Sequence, residues 1–487
     1  MAIEQPDASH AVPLNSARAA LVNDSLSIGL NHDSMRVKST ANLDDFQLVG
    51  LDRPLSTSST SIADTSEGSA VKPIKTNADS QVCKPTAAYK TTMRWMAEHI
   101  YDPKSLGDLN ALMNDKSCPG DLVSKANRAL AVTGDEYDKV LSAEETNAFN
   151  DSIAGHYAGV GLLIGNIQTG AKDAQTQPTI LRVFDGTSAA EANLHKGDVI
   201  VRVDGQDTSH ANIDNVVPLL RGAIGTSVDV VVNRHGELID RKLTRANIET
   251  PSVDKPRDMG NGITYIRVED FNNRNTAHDL MTALQANPSS KAFIIDLRDN
   301  PGGLVDQALQ AAELFIPEGV LLHERTRESS DPSAPIYSNV TYRADANSQL
   351  TTTVVDGQQP ETDADSRMPD VVGKRPIVLL TNRGSASASE IFTGALHDTG
   401  KATTVGDTTY GKGIAQLLMQ GGPEGTMSKV TQSHYTTPSG IWPGDAAKNK
   451  IGLQPDIKVA QPDNIEYGSP QDAQLNAAVD NLLKRIK

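Results

Sequence analysis

The stretch Pro376-Ile-Val-Leu-Leu-Thr-Asn-Arg-Gly-Ser-Ala-Ser-Ala-Ser-Glu390 decides the fold. Residues 376–380 are an apolar run of strand length, Gly384 and its small neighbours form a turn, and Ile391, Phe392, Ala395 and Leu396 recur at the spacing of an amphipathic helix. A buried strand feeding a helix through a glycine turn is the repeating unit of an α/β core. Such a turn also aims backbone N–H groups and the positive end of the helix dipole at one point, which favours an anion there. A serine at that point can attack a carbonyl while the same N–H groups stabilise the oxyanion that forms. Read alone, Ser385, Ser387 and Ser389 are better read as a plain helix cap.

Working outward, the same alternation precedes it: strand 263–268, helix 277–285, strand 292–296 and helix 304–315. The third of these runs into a second glycine turn, Ile294-Ile-Asp-Leu-Arg-Asp-Asn-Pro-Gly-Gly303. Alone it is an ordinary strand-to-helix turn where glycine supplies positive φ. Paired with the serine turn, it fits an oxyanion hole built from two segments. A third element follows in Tyr410-Gly-Lys-Gly-Ile-Ala-Gln416. A lone lysine is usually a solvated charge, but glycines on both sides of Lys412 let other backbone approach, and Gln416, four residues on, is expected to share its face and hold its amine. His397 and His434 are weaker candidate bases, since neither sits in a triad-like context.

The 487 residues exceed what one core serves, so several domains are expected. Residues 1–82 are crowded with Ser, Thr, Asp and Asn and lack periodicity, which predicts a disordered head. Residues 83–157 read as helical: Tyr89, Met93, Met96, Ala97 and Ile100 share a face, a second helix covers 121–132, and Ser142-Ala-Glu-Glu145 is a capping box. Residues 158–250 form a β-rich domain, with strands at 178–184, 198–203 and 228–233 and a helix at 212–221. The α/β core spans 256–487, interrupted by a polar insertion or lid at 328–372. A net charge of −16 argues against nucleic acid and anionic membranes as partners, and no apolar run is long enough to span a bilayer. Cys83 and Cys118 are too few for a zinc site, and no metal-ligand spacing occurs, so neither metal nor cofactor is expected. Residues 1–14 lack the basic-then-apolar pattern of a secretory signal.

The chain from 83 to 487 resembles the C-terminal processing peptidases, or tail-specific proteases. The residues carrying the resemblance are Asp296-Leu-Arg-Asp-Asn-Pro-Gly-Gly303, Gly384-Ser-Ala-Ser-Ala-Ser-Glu390, Tyr410-Gly-Lys-Gly413 and Tyr435-Thr-Thr-Pro-Ser-Gly440, in that order. It implies a crotonase/Clp-like core of ββα units with an inserted PDZ domain, and a Ser-Lys dyad. The family spacing, 25 residues before Lys412, selects Ser387 as nucleophile and leaves Ser385 and Ser389 structural. Gln416 becomes the lysine's support, and the oxyanion donors become the N–H of Ala388 and one glycine of Gly302-Gly303. Asp398 is given a structural role. Asp185-Gly-Thr-Ser-Ala-Ala-Glu-Ala-Asn-Leu-His-Lys-Gly-Asp-Val-Ile200 resembles the PDZ module, with Ser188 where relatives often carry proline. Ahead of it, Gly159, Val160, Gly161 and Leu162 resemble its carboxylate-binding loop, whose N–H groups receive a peptide C-terminus; the bland alternative is a tight turn. The implied substrates are proteins or peptides with free C-terminal tails, and the implied setting extracytoplasmic. The resemblance also allows a homo-oligomer through the N-terminal helices. The alternative is a non-catalytic binding protein on the same core, as in the interphotoreceptor retinoid-binding family, which loss of the serine or lysine would mark; both are present.

Overall fold

The computed structural model describes residues 38–39, 86–114, 121–168, 176–328, 331–445, 449–462, 465 and 467–486. Apart from Lys38–Ser39, which form a short strand, the expected disordered head lies outside the described residues, as do Cys83 and Cys118.

The core sheet runs, in spatial order, Arg257–Asp258, Ile263–Arg267, Ala292–Asp296, Ile377–Thr381, Ala402–Gly406 and Ile457–Lys458, parallel from Ile263–Arg267 onward. Helices Thr276–Gln285, Val305–Glu313 and Ala388–Asp398 lie between successive parallel strands in the chain. Parallel strands need such crossovers, and the crossovers bury both sheet faces. Strand alternation divides the apolar residues accordingly. Phe293, Ile295, Ile377 and Leu379 meet the three helices, while Ala292, Ile294, Val378 and Leu380 meet Leu475, Ala478 and Leu482 of the C-terminal helix Ala473–Arg485.

A second, antiparallel sheet covers the far side of the three helices through Leu321, Leu322, Ala344, Ala415 and Tyr435. Its central strands are Ile414–Met419, Met427–Thr436, Gly319–Arg327 and Tyr337–Ala344. Helix Ala388–Asp398 therefore lies between two sheets and is buried at every position from Ala388 to Leu396. This corrects the expectation of an amphipathic helix: its polar members Ser389, Glu390 and Thr393 face protein instead of water. Within the polar insertion or lid expected at 328–372, Tyr337–Ala344, Ser348–Val355 and Glu361–Ser366 are strands that extend this sheet outward. Ser348–Val355 is half-buried throughout and Glu361–Ser366 exposed, so no apolar alternation marks them in the sequence.

The N-terminal helices Ala87–His99 and Leu122–Leu130 bury Met93, Met96, Ala97 and Leu130 against Val140 and Val430. Ser142 and Glu145 form the expected capping box, with reciprocal bonds of 3.1 and 2.7 Å. The β-rich domain is a sheet in the order Leu162–Gln168, Thr176–Val183, Val199–Val203, Ser227–Arg234 and Glu237–Thr244. The chain enters it along His156–Gly159 and leaves along Ala246–Glu249, and these two strands pair with each other. Among the described residues no helix is long and apolar enough to cross a membrane.

Candidate active site

The three serines of the decisive turn differ in what their hydroxyls do. Ser385 Oγ donates to the Leu297 carbonyl at 2.7 Å and accepts the Asn382 N–H at 3.0 Å. Ser389 Oγ donates to the Asn300 carbonyl at 2.9 Å. Both fasten the serine turn to the 296–303 turn. Ser387 Oγ, fully buried, has no hydrogen-bond partner among the described residues. Ser387 also holds φ +55°, ψ −116°, a conformation costing a non-glycine residue about 1–3 kcal/mol and found where surrounding structure imposes it.

Glu390, three residues on, supplies that imposition. Its buried carboxylate accepts the N–H of Ser387 at 2.9 Å and of Lys412 at 2.8 Å on Oε2, and the Gly411 N–H at 2.8 Å and Thr409 hydroxyl at 2.6 Å on Oε1. Burial pushes its pKa up, and these hydrogen bonds work against that rise. Tyr435 ties the same two segments from the antiparallel sheet, its hydroxyl lying 3.0 Å from the Ser387 carbonyl and in contact with the Lys412 carbonyl. Burial, and then Glu390, raise the phenol well above its ordinary range, so it stays a donor. One carboxylate and one phenol thus hold the backbones of Ser387 and Lys412 together.

Lys412 is almost wholly buried, and its Nζ lies 3.8 Å from the centre of the Tyr137 ring. Its two glycines are required by contact: a Cβ on Gly411 would come within 2.8 Å of the Ile451 nitrogen, and one on Gly413 within 2.7 Å of the Trp442 ring. A register shift between Ala415 and Gln416 breaks simple alternation, and Gln416 Nε2 donates to the Tyr137 carbonyl at 2.6 Å while Oε1 has no partner among the described residues. No hydrogen bond joins Ser387 Oγ to Lys412 in this arrangement.

Gly302 is the glycine that abuts the serine turn. A Cβ there would lie 2.7 Å from the Ala386 oxygen and 2.8 Å from the Ala388 nitrogen, whereas one on Gly303 would strike Phe271 and Asn272. The Gly302 N–H is given to Asn300 Oδ1 at 2.9 Å. Beneath this turn the fully buried Arg298 guanidinium bridges Asp296 and Asp472 at 2.5 and 2.8 Å and stacks on Tyr467 at 3.9 Å. The two histidines serve other ends. His397 lies between Asp398 and Asp456 at 2.9 and 3.2 Å, and His434 stacks on Tyr101 and Trp442. Asp398 accepts the Ser439 N–H at 2.9 Å, tying down a loop.

In the β-rich domain, Val160 and Gly161 turn their carbonyls inward to the N–H of Ala189 and Phe184, at 3.1 and 3.0 Å. A trans peptide plane points its N–H opposite to its carbonyl, so the N–H groups of Gly161 and Leu162 face away from those partners. Leu162–Gln168 is the edge strand of its sheet. Sequence reasoning missed Glu390, Tyr435 and Tyr137. The first was detectable, because a Glu three residues after a serine at a helix start is a capping-box signal; Tyr137 carries no local signal.

A profile for peptidase family S41 matches residues 262–459, and one for the PDZ domain matches residues 154–233. The carboxy-terminal-processing protease of Bartonella bacilliformis is 31% identical over 352 residues, 70% of either chain. The carboxyl-terminal-processing protease of Synechocystis is 31% identical over 363 residues, 72% of this chain and 75% of its own. A Bacteroides fragilis crystal structure described as an S41 protease shares the fold, with TM-score 0.51 at 15% identity over 82% of this chain and 98% of its own. These matches define a serine peptidase that carries a PDZ domain. The chain belongs to peptidase family S41, among the C-terminal processing proteases.

Proposed function

We propose that the chain is an endopeptidase that selects substrates by their free C-terminal tails and cuts them with a Ser387–Lys412 dyad. The observation that carries this reading is the contrast among the serines: Ser385 and Ser389 use their hydroxyls to hold the turn, while Ser387 has a free one beside the Lys412 segment. The neutral Lys412 amine takes the Ser387 proton as Oγ attacks the scissile carbonyl, then gives it to the leaving amine. Water, deprotonated by the same lysine, opens the acyl ester and releases a carboxylate. Ala388, at the first helical position, has an N–H with no intrahelical partner and serves the oxyanion. Gly302 gives its N–H to Asn300 in this arrangement, so the second donor is made by a shift of the Gly302-Gly303 turn. Gln416, through Oε1, supports the lysine once its Nζ leaves the Tyr137 ring. Because Ser387 is closed to solvent, substrate entry requires a movement that opens the site.

Tail capture falls to the PDZ domain. The peptide adds as a strand along Leu162–Gln168, and its carboxylate meets the N–H groups of Gly159, Val160, Gly161 and Leu162. The apolar face of Ala87–His99 is already buried within the chain, so an oligomer built on the N-terminal helices uses their other faces. The deciding experiment is digestion of a tail-tagged protein by purified variants. Ser387→Ala abolishes cleavage, whereas Ser385→Ala and Ser389→Ala retain it with lowered stability; loss at Ser389 alone with a folded chain overturns the assignment.

A further inference from the structure

A cleft of about 480 Å³ opens on the outer face of the antiparallel sheet. Its floor follows from strand register. His323 lies opposite Thr341 and Thr436, and Arg325 opposite Asn339 and His434, so both rows point to one face. The intervening Glu324, Val340 and Tyr435 are buried on the other face, where the Glu324 carboxylate accepts the Tyr342 and Ser433 hydroxyls. Arg325 is matched by Asp356 at 3.6 Å and lies over the Tyr337 ring, so the floor is no bare cation site.

The walls are flat rings. Tyr101 stacks on His434 at 4.1 Å and His434 on Trp442 at 5.7 Å, each pair within 14° of parallel. Burial holds the His434 pKa below its ordinary value, which keeps this wall uncharged at neutral pH. The ladder leads to the catalytic segment: the Trp442 indole N–H donates to the carbonyl of Gly413 at 3.1 Å, and His434 pairs with Ile414. Ile441, the chain neighbour of Trp442, and Ile451, whose N–H donates to the Pro443 carbonyl at 3.1 Å, are 47% and 51% exposed. Large apolar side chains left in water, continuous with an aromatic wall, mark a surface that another apolar group covers.

We propose that this cleft is a substrate subsite that receives a large apolar side chain of the peptide being cut, within a few residues of the scissile bond. It rests on the reading that Ser387 and Lys412 do the cutting. The volume holds one such side chain with its backbone, and an extended chain advances about 3.3 Å per residue, so a peptide lying at Lys412 reaches the cleft in a few residues. The test uses the full chain and peptides with one common free tail, differing by a single Ala→Phe exchange at successive positions around the cut. At one position Phe lowers KM about tenfold with kcat unchanged. Thr341→Trp and Asn339→Trp, which intrude from the two rows, each remove that gain, so that the Phe and Ala peptides are cut with equal kcat/KM. A gain that persists in both variants, or no position with a gain, overturns the subsite. The same peptides, fluorescently labelled and bound to Ser387→Ala, report the Phe preference without cleavage; a preference there with no turnover by the wild type counts against the dyad and not against the cleft.

Discussion

Glu390 and Tyr435 set where the backbones of Ser387 and Lys412, the proposed dyad, sit. A glutamine at 390 offers one oxygen where the carboxylate offers two, so either the Ser387 and Lys412 amides or the Thr409 and Gly411 donors lose their acceptor. An unmet buried donor costs about 1–3 kcal/mol. Glu390→Gln is therefore expected to lower both kcat and the melting temperature while leaving KM nearly unchanged; kcat within twofold of wild type means that the carboxylate positions nothing. Asp138, next to Tyr137, yields a pH prediction. Burial, and then Asp135, raise its pKa from 3.8 to about 8. Between those values the folded chain keeps a proton that the unfolded chain has lost, so unfolding free energy falls as pH rises across that window. Asp138→Asn can still accept the Thr431 N–H and has no proton to lose. Its melting temperature should gain on that of wild type between pH 5 and pH 8. A gap that closes or reverses over that range means the carboxylate is ionised and paired in the fold.

Among elements, the C-terminal helix matters more than its distance in sequence from the site implies. Asp472 caps it, accepting the Leu475 N–H at 3.0 Å, and also holds Arg298 beneath the glycine turn. Asp472→Ala removes the cap and leaves a buried guanidinium with one carboxylate of two. The expected loss is about 3–5 kcal/mol, read by urea denaturation; a loss under about 1 kcal/mol shows that the bridge is solvated in solution. This element also shows where sequence reading stops. Strands 292–296 and 377–381 are legible because they are continuous apolar runs buried on both faces. Ser348–Val355 and Glu361–Ser366 are not, because ladder hydrogen bonds hold them with little burial, and a polar strand leaves no periodic trace.

At the scale of the molecule, the PDZ domain is joined to the core by its paired entry and exit strands and by Arg182, which reaches Asp254 and Glu269 at 3.0 and 3.1 Å. Those ion pairs are about a third exposed, so each is worth about 1 kcal/mol or less. If the domain captures tails, amidating the C-terminus of a good substrate should raise KM about tenfold, since a carboxylate hydrogen-bonded to backbone N–H groups is worth about 1.5–3 kcal/mol; equal KM for free and amidated peptides assigns the domain another task. The sequence by itself determined the strand–turn–helix units, the glycines on both sides of Lys412, and which serine stands at the family spacing. These are local: they depend on chain stiffness, apolar period and the room that a missing Cβ leaves. The tertiary structure alone decided that Glu390 and Tyr435 bind the Ser387 and Lys412 backbones together, that Tyr137 covers the lysine, and that helix Ala388–Asp398 is buried all round. Each joins segments tens or hundreds of residues apart, and a buried carboxylate reads in sequence like an exposed one until the partners that satisfy it are in place.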